Sequence, residues 1–188
     1  MAQPEADFSS SLNRLEYRDW ERNLKTKSAQ PTPLPEDPGP GAPVLCSSAT
    51  AAVEYAGRIF KDRRIEVKPA FADPILEPPN FRWRMRPLSW RFWSRLGFFS
   101  GWIRSEESPE LVKQRMVQLA TRLIGLAKEH EEANFVGEPF LIRLLALKLT
   151  SIGYAGPMTG CARYGHSSDF EYEIPSAKDL KARSAEAK

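Results

Sequence analysis

The chain has 188 residues, of which 41% are hydrophobic and 27% are charged, as in ordinary globular domains that hold a core without disulfides. Its 27 basic and 24 acidic residues leave a net charge of +3, which argues against a strongly cationic nucleic-acid-binding surface. Two cysteines and two histidines exclude a disulfide framework, a four-cysteine metal site and a three-histidine site. We therefore expect neither a metal nor another cofactor.

The sequence also bears on where the protein resides. Because it contains no stretch of about 18 uninterrupted apolar residues, it predicts no membrane-spanning helix. Residues 1–7 show no basic region followed by an apolar one, so we expect no secretory signal. A reduced, cytoplasmic protein is the expectation for a chain with so few cysteines.

A single domain is predicted over residues 1–175, followed by a polar tail at 176–188 that we expect to be frayed. A weak strand is predicted near residues 8–13. Six prolines lie within residues 31–43, and they predict a polyproline-like loop over the surface.

The first clear pattern is a strand, a helix and a second strand. Residues 43–46 form a short apolar run that ends in Cys46, which we interpret as an inert core thiol. Apolar residues recur at helical spacing over 50–60, and residues 65–67 alternate as a strand does. A connection of this length allows the two strands to run parallel.

The clearest predicted helix covers residues 109–130. Ser108 is a good N-cap, and Pro109 suits the first helical position. His130 falls at the end of this helix among glutamates, where a surface cap is the expected role. The predicted apolar stripe consists of Leu111, Met116, Leu119, Leu123 and Leu126.

Three further elements follow this helix. Residues 134–136 are predicted to form a short strand, and residues 140–152 form a helix that is apolar around most of its circumference and therefore buried. Gly153 is expected to end that helix. Residues 170–174 alternate strictly between apolar and acidic, which is typical of a half-exposed strand at a sheet edge.

The order of these elements predicts an α/β fold, a three-layer αβα sandwich with a mostly parallel central sheet. Ligands of such folds bind at the carboxyl ends of the strands. We therefore expect the segments that follow Asn13, Cys46, Ala70 and Val136 to meet there.

This layout resembles the histidine phosphatase superfamily, with its phosphoglycerate mutase-like fold. Members have a strand followed by Arg-His-Gly, a strand ending in Ser-Ser, a helix carrying an Arg, and an acidic residue in a mid-chain loop. A short strand, a second histidine followed by Gly and a buried helix come later. The matching stretches here are residues 12–16, 44–49, 70–73 and 134–143, and residues 153–157 resemble the ending of a bacterial branch.

Both histidines on which the family's chemistry depends are replaced in this chain. Leu15 holds the position of the phospho-accepting histidine, and Glu138 holds that of the second. The two histidines that the chain does have, His130 and His166, match neither position.

Other family positions have changed as well. The glycines after the two histidines are replaced by Glu16 and Pro139, and the helix Arg by Ala51 or Ala52. The resemblance implies that the chain keeps the family's first Arg as Arg14 and that Asp73 corresponds to the acidic residue of the mid-chain loop.

These replacements predict that the family's phosphoryl transfer is lost. Leucine has no lone pair with which to attack phosphorus. The charge of Glu138 would repel a phosphate by about 4 kcal/mol at about 4 Å and an effective dielectric of about 20. We therefore predict a pseudoenzyme that is neither a phosphatase nor a mutase by the phosphohistidine mechanism. A noncatalytic binding or structural module is the first hypothesis.

The alternative is an enzyme that uses the old phosphate pocket for other chemistry. Glu138 and Asp73 would act as an acid and base pair, with Arg14 beside them, on an aromatic or apolar small molecule, conceivably one from a biosynthetic pathway. Two structural interpretations compete with it. Glu138 would simply cap the following helix, or Arg14 would fill the pocket as an ion pair with Glu138 or Glu16.

Residues 80–104 form an insertion rich in tryptophan and arginine, with six arginines and no acidic residue. As an aromatic lid it would bind a small molecule through Trp83, Trp90 and Trp93. The full set of predicted ligand-binding residues is Arg14, Glu16, Trp83, Trp90, Trp93 and His166.

Two other interpretations of this insertion stay open. It would serve as a homodimer interface, since tryptophan and arginine are common anchors there, or as a membrane-surface helix, which we consider less fitting. Nucleic acid is an unlikely partner, given the near-neutral charge of the whole chain. An apolar stripe at helical spacing consists of Leu88, Phe92, Leu96 and Phe99.

Overall fold

A computed structural model of the chain describes residues 9–26, 41–103, 105–157 and 168–172. Most of the predicted loop at 31–43, the tail at 176–188 and His166 lie outside the described residues.

The described residues form helices and short strands in alternation. The helices are α1 (Arg14–Thr26), α2 (Thr50–Ile59), α3 (Pro87–Phe99), α4 (Pro109–His130) and α5 (Pro139–Ser151), with a 3-10 turn at Pro69–Phe71. The strands are β1 (Val44–Ser47), β2 (Ile65–Lys68), β3 (Asn134–Val136), β4 (Tyr154–Ala155) and β5 (Glu171–Tyr172). None of the described helices has the length and apolar character needed to cross a membrane.

The central sheet has three parallel strands in the order β2-β1-β3. Val44 at the start of β1 lies opposite Ile65 of β2 and Asn134 of β3, so all three strands end at the same edge. Since α2 connects β1 to its parallel neighbour β2, these elements form the predicted crossover. The predicted α/β class with a parallel sheet is confirmed.

Helices cover both faces of this sheet. Val44 and Cys46 pack against α2 on one face, whereas Leu45, which points the other way, packs against α4 and α5. All four residues of β1 are buried, as expected of a central strand covered on both sides. The result is the predicted three-layer arrangement.

Helix α4 begins and ends where the sequence predicts. The side chain of Ser108 accepts a hydrogen bond from the backbone N–H of Leu111 at 3.2 Å, which caps the first turn. The predicted stripe needs one correction, because Leu111 is 47% exposed and Val112 is buried instead. Val112 lies four residues before Met116 and therefore shares its face.

The N-terminal region differs from the prediction. In place of a strand near residues 8–13, residues 9–13 contribute only an isolated bridge between Leu12 and Met85, and α1 begins at Arg14. The physical reason is a capping box. The side chain of Asn13 accepts from the backbone N–H groups of Leu15 and Glu16, and the carboxylate of Glu16 accepts from the N–H of Asn13.

Residues 173 and 174 of the predicted C-terminal strand lie outside the described part of the chain. Within the described residues, β5 pairs antiparallel with β4 in a separate two-stranded sheet, with Tyr154 opposite Tyr172. Gly153 stands between α5 and this pair with a φ of 100°, a conformation that glycine adopts without strain. The turn at Gly153 therefore separates the end of α5 from the start of β4.

Candidate functional site

Two acidic residues interlock at the carboxyl edge of the central sheet. Asp73 follows β2 and its 3-10 turn, and Glu138 follows β3. The backbone N–H of Asp73 donates to Glu138 Oε2 at 2.8 Å, and the backbone N–H of Leu141 donates to Asp73 Oδ1 at 2.8 Å. Two of the segments that the fold was expected to bring together are thus in direct contact.

This interlock satisfies the N-terminus of α5. The first N–H groups of a helix have no partner within it, and Leu141 is the third residue of α5. Asp73 supplies the missing acceptor from another loop, and its negative charge also suits the positive end of the helix dipole. Glu138 stands at the N-cap position of α5, as one interpretation predicts, but its side chain makes no capping hydrogen bond to that helix and accepts from the backbone N–H of Asp73 instead.

The charges of Asp73 and Glu138 affect the pKa values of two neighbouring side chains. Cys46 at the end of β1 is fully buried, and burial together with the charge of Glu138 raises the pKa of its thiol to about 12. Arg95 of α3 stacks over the ring of Phe140, with the guanidinium carbon 4.5 Å from the ring centre. Burial lowers the pKa of Arg95, while the charge of Asp73 opposes that shift. The positive charge of Arg95 therefore acts on Asp73 at this edge.

Arg115 of α4 holds the loop that carries Asp73. It donates through Nη1 to the carbonyl oxygens of Ala70 at 2.6 Å and Ala72 at 2.9 Å. Its Nη2 lies 2.5 Å from Glu107, which balances its charge. Sequence reasoning missed Arg115, although its place on the buried side of α4, between Val112 and Met116, is a usable signal for a partly buried arginine.

Arg14 contacts a different part of this loop. Its Nε donates to the carbonyl oxygen of Pro78 at 3.1 Å, and its Nη2 lies 3.9 Å from Glu77. Arg18, one turn along α1, approaches the same carboxylate at 4.0 Å. Arg14 thus pairs with Glu77 and not, as one interpretation held, with Glu138 or Glu16.

Glu16 stabilises the start of α1 and also links α1 to the segment before α3. Besides its place in the capping box, its carboxylate lies 2.9 Å from Arg84, which precedes α3. The hydrogen bond from the backbone of Asn13, followed by that from Arg84, lowers the pKa of Glu16 below its ordinary value of 4.5. These contacts are structural, whereas the sequence predicted a ligand-binding role.

This lowered pKa gives a pH-dependent contribution to stability. A carboxyl whose folded pKa lies below its unfolded value stabilises the fold above the unfolded pKa, and the stabilisation is lost as pH falls through the folded pKa. Urea midpoints measured at pH 7 and at pH 3 should therefore differ less for Glu16→Gln than for the wild type. Glu106→Gln, at an exposed acid outside the helices, is the control and should keep the wild-type difference.

The three tryptophans of the predicted lid have different environments. Trp90 is fully buried, with its ring 5.7 Å from that of Tyr17, and its indole N–H donates to the carbonyl oxygen of Leu12 at 2.8 Å. Its predicted contact with a ligand is therefore replaced by packing in the core. Trp83 and Trp93 are exposed and both contact Phe81.

His130 lies at the end of α4, 4.0 Å from Glu129, as expected of a surface histidine. None of the contacts described for His130 involves Asp73 or Glu138. No group of three or more histidine, cysteine, aspartate or glutamate side chains within the described ranges is arranged to hold a metal ion.

No protein-family model matches this sequence, and no curated protein matches it either. Among solved structures, the chain is similar to the crystal structure of a candidate alpha-ribazole-5'-P phosphatase from Escherichia coli str. K-12 substr. MG1655. The two are 19% identical with a TM-score of 0.38, and the match covers 61% of this chain and 59% of that one. The chain thus spans about three fifths of the length of that protein.

Proposed function

We propose that the chain is a noncatalytic binding or structural module, a degenerate relative of the histidine phosphatase superfamily. The proposal rests on one observation: the residues at the edge where a phosphoryl group would bind are engaged in holding the fold together. Asp73 caps α5, and Glu138 holds the backbone of Asp73. A second carboxylate here also opposes the binding of a phosphate dianion.

The position of Leu15 supports the same conclusion. It corresponds to the phospho-accepting histidine in the family resemblance, yet it lies in the first turn of α1 and is 65% exposed. A nucleophile must be held close to the reacting phosphorus and to cationic donors. The retained Arg14 lies instead against Pro78 and Glu77.

An assay with p-nitrophenyl phosphate tests the loss of phosphatase activity. We expect the wild type to release nitrophenol no faster than the Arg14→Ala variant does. Arg22→Ala, at an exposed arginine of the same helix, controls for the loss of a surface charge. Turnover by the wild type and by Arg22→Ala that disappears in Arg14→Ala would overturn the proposal.

A second candidate function is acid and base chemistry on an aromatic or apolar small molecule. The observation in its favour is the close approach of the Asp73 loop to Glu138, with the charge of Arg95 acting on Asp73. Two carboxylates with different surroundings can serve as an acid and a base, provided that their pKa values are held apart.

Native mass spectrometry of protein purified from its source separates the two candidates. A bound small molecule that the protein converts, with conversion lost in Glu138→Gln but folding retained, would favour the enzyme. Glutamine keeps an oxygen that can accept from the backbone of Asp73, so the variant should fold. The noncatalytic proposal expects no converted molecule.

A further inference from the structure

The solvent-facing side of α3 is apolar along its whole length. Leu88, Phe92, Leu96 and Phe99 recur at the spacing of one helical face, and each is between 43% and 62% exposed. The other exposed positions between them are Ser89 and Trp93, so no exposed charged side chain interrupts this face. Surface helices normally turn such a stripe toward the core and a polar face toward water.

The core-facing side of α3 is already occupied. Trp90, Ser94 and Phe98 are buried beneath the helix, and Arg91 and Arg95 lie along its border. The exposed stripe is therefore a second apolar face rather than the one that anchors α3 to the domain. A contiguous apolar surface of this kind marks an interaction site.

Aromatic rings extend the stripe to one side. Trp83, Trp93 and Trp102 surround Phe81, with ring centres 5.3 to 5.8 Å from it, and all three tryptophans are exposed. Tryptophan is favoured where an apolar phase meets water, because its ring is apolar and its N–H is polar.

The charges beside this surface are of one sign. Residues 80–104 contain six arginines and no acidic residue. Arg84 and Arg91 are paired with Glu16 and Glu21 of α1. Arg82 and Arg86 are exposed at the start of α3 and form no ion pair with a residue of the described ranges.

We propose that α3 docks in the plane of an anionic lipid bilayer. The apolar face would enter the boundary between headgroups and acyl chains, the tryptophans would lie at that boundary, and Arg82 and Arg86 would contact lipid phosphates. This inference goes beyond the proposed function, because it rests on α3 and holds whether or not the chain has an activity.

Charge complementarity favours a bilayer over a second copy of the chain. A two-fold interface through α3 would bring together two copies of the exposed Arg82 and Arg86, in segments that contain no acidic residue. Like charges at such an interface are unfavourable and find no acidic partner within the segment. An anionic leaflet offers negative charge across its whole surface.

Sedimentation of the full chain with vesicles tests the apolar face. Binding to vesicles of phosphatidylcholine and phosphatidylserine (7:3) should weaken at least tenfold in the L88Q/F92Q/L96Q variant. The matched control, L111Q/V117Q/L147Q, changes three exposed apolar residues on α4 and α5 and should bind as the wild type does. Circular dichroism establishes that both variants are folded.

The same assay tests the arginines. Each basic residue near an anionic leaflet strengthens binding by about fivefold, so R82Q/R86Q should bind roughly 20-fold more weakly. R58Q/R143Q removes two exposed arginines from other helices and should have little effect. Binding should also fall as the salt concentration rises and be weak on vesicles of phosphatidylcholine alone.

Three results would overturn the inference. One is a wild type that does not sediment with the anionic vesicles, and another is equal loss of binding in the α3 variant and its control. The third is a dimer in size-exclusion chromatography that only L88Q/F92Q/L96Q dissociates, without vesicle binding by the wild type, which would assign the face to a second copy. None of these results bears on the phosphatase assay, so the two proposals can fail separately.

Discussion

Replacing Trp90 with alanine is expected to lower the free energy of unfolding by about 3 to 5 kcal/mol, the usual cost of removing a large buried aromatic side chain. Trp90 has no exposed surface, and its ring packs beside those of Tyr17 and Phe81. Its indole N–H also ties α3 to the carbonyl of Leu12. Since small domains are stable by only about 5 to 15 kcal/mol, this loss is a large part of the total stability. Urea denaturation followed by far-ultraviolet circular dichroism measures the change.

Trp83→Ala is the matched control, because it removes the same side chain from the same segment at a position that is 62% exposed. We expect it to cost less than about 1 kcal/mol. Trp90→Phe should lie between the two, at a cost of about 1 to 2 kcal/mol, since it keeps a ring but is smaller and loses one hydrogen bond to Leu12. The Leu12 carbonyl still accepts from the backbone N–H of Met85 at 2.9 Å. A Trp90→Ala protein that is as stable as Trp83→Ala would show that Trp90 is not a core residue.

The elements that the sequence predicts well are those whose signals are local. Helix α4 has a serine cap, a proline in its first turn and a long apolar periodicity, and its bounds are as predicted. The succession of β1, α2 and β2 is also as predicted, and it correctly indicated that the two strands run parallel. From parallel strands it follows that their carboxyl ends meet, which is why Asp73 and Glu138 could be expected at one edge.

The N-terminal helix shows that a local capping signal decides between a weak strand and a helix. The sequence predicts a weak strand near residues 8–13, whereas the structure begins α1 at Arg14. Residues 13–16 contain Asn-x-x-Glu, and the interlocking hydrogen bonds of Asn13 and Glu16 start a helix there. A capping box can be recognised in the sequence, because its stabilising hydrogen bonds join residues only three positions apart.

Contacts between distant residues could not be predicted in this way. Arg95 lies in an arginine-rich segment, and only the packing of α3 decides that this arginine, rather than Arg82 or Arg86, stacks on Phe140. The exposure of the Leu88 stripe depends likewise on which side of α3 faces the domain. Helical periodicity identifies an apolar face but gives no information about what covers it.

Asp73→Ala is expected to destabilise the protein by about 2 kcal/mol. The substitution removes the acceptor for the N–H of Leu141, which is fully buried and has no other partner in its own helix. Loss of a capping side chain alone costs about 0.5 to 2 kcal/mol, and a buried orphan donor places this site at the upper end. Asp73→Asn keeps an oxygen in the same place and should cost less than about 1 kcal/mol. Thermal and urea unfolding of the two variants give the comparison.

A double-mutant cycle with Glu138→Ala then asks whether the two acids act as one structural unit. Glu138 holds the backbone of the residue whose side chain caps α5, so removing either loosens the support of the other. The two losses should therefore sum to more than the loss in the double variant, by about 0.5 kcal/mol or more. Strict additivity would mean that the two carboxylates support the fold independently. The sign and size of this coupling thus show whether Asp73 and Glu138 hold the start of α5 as one structural unit.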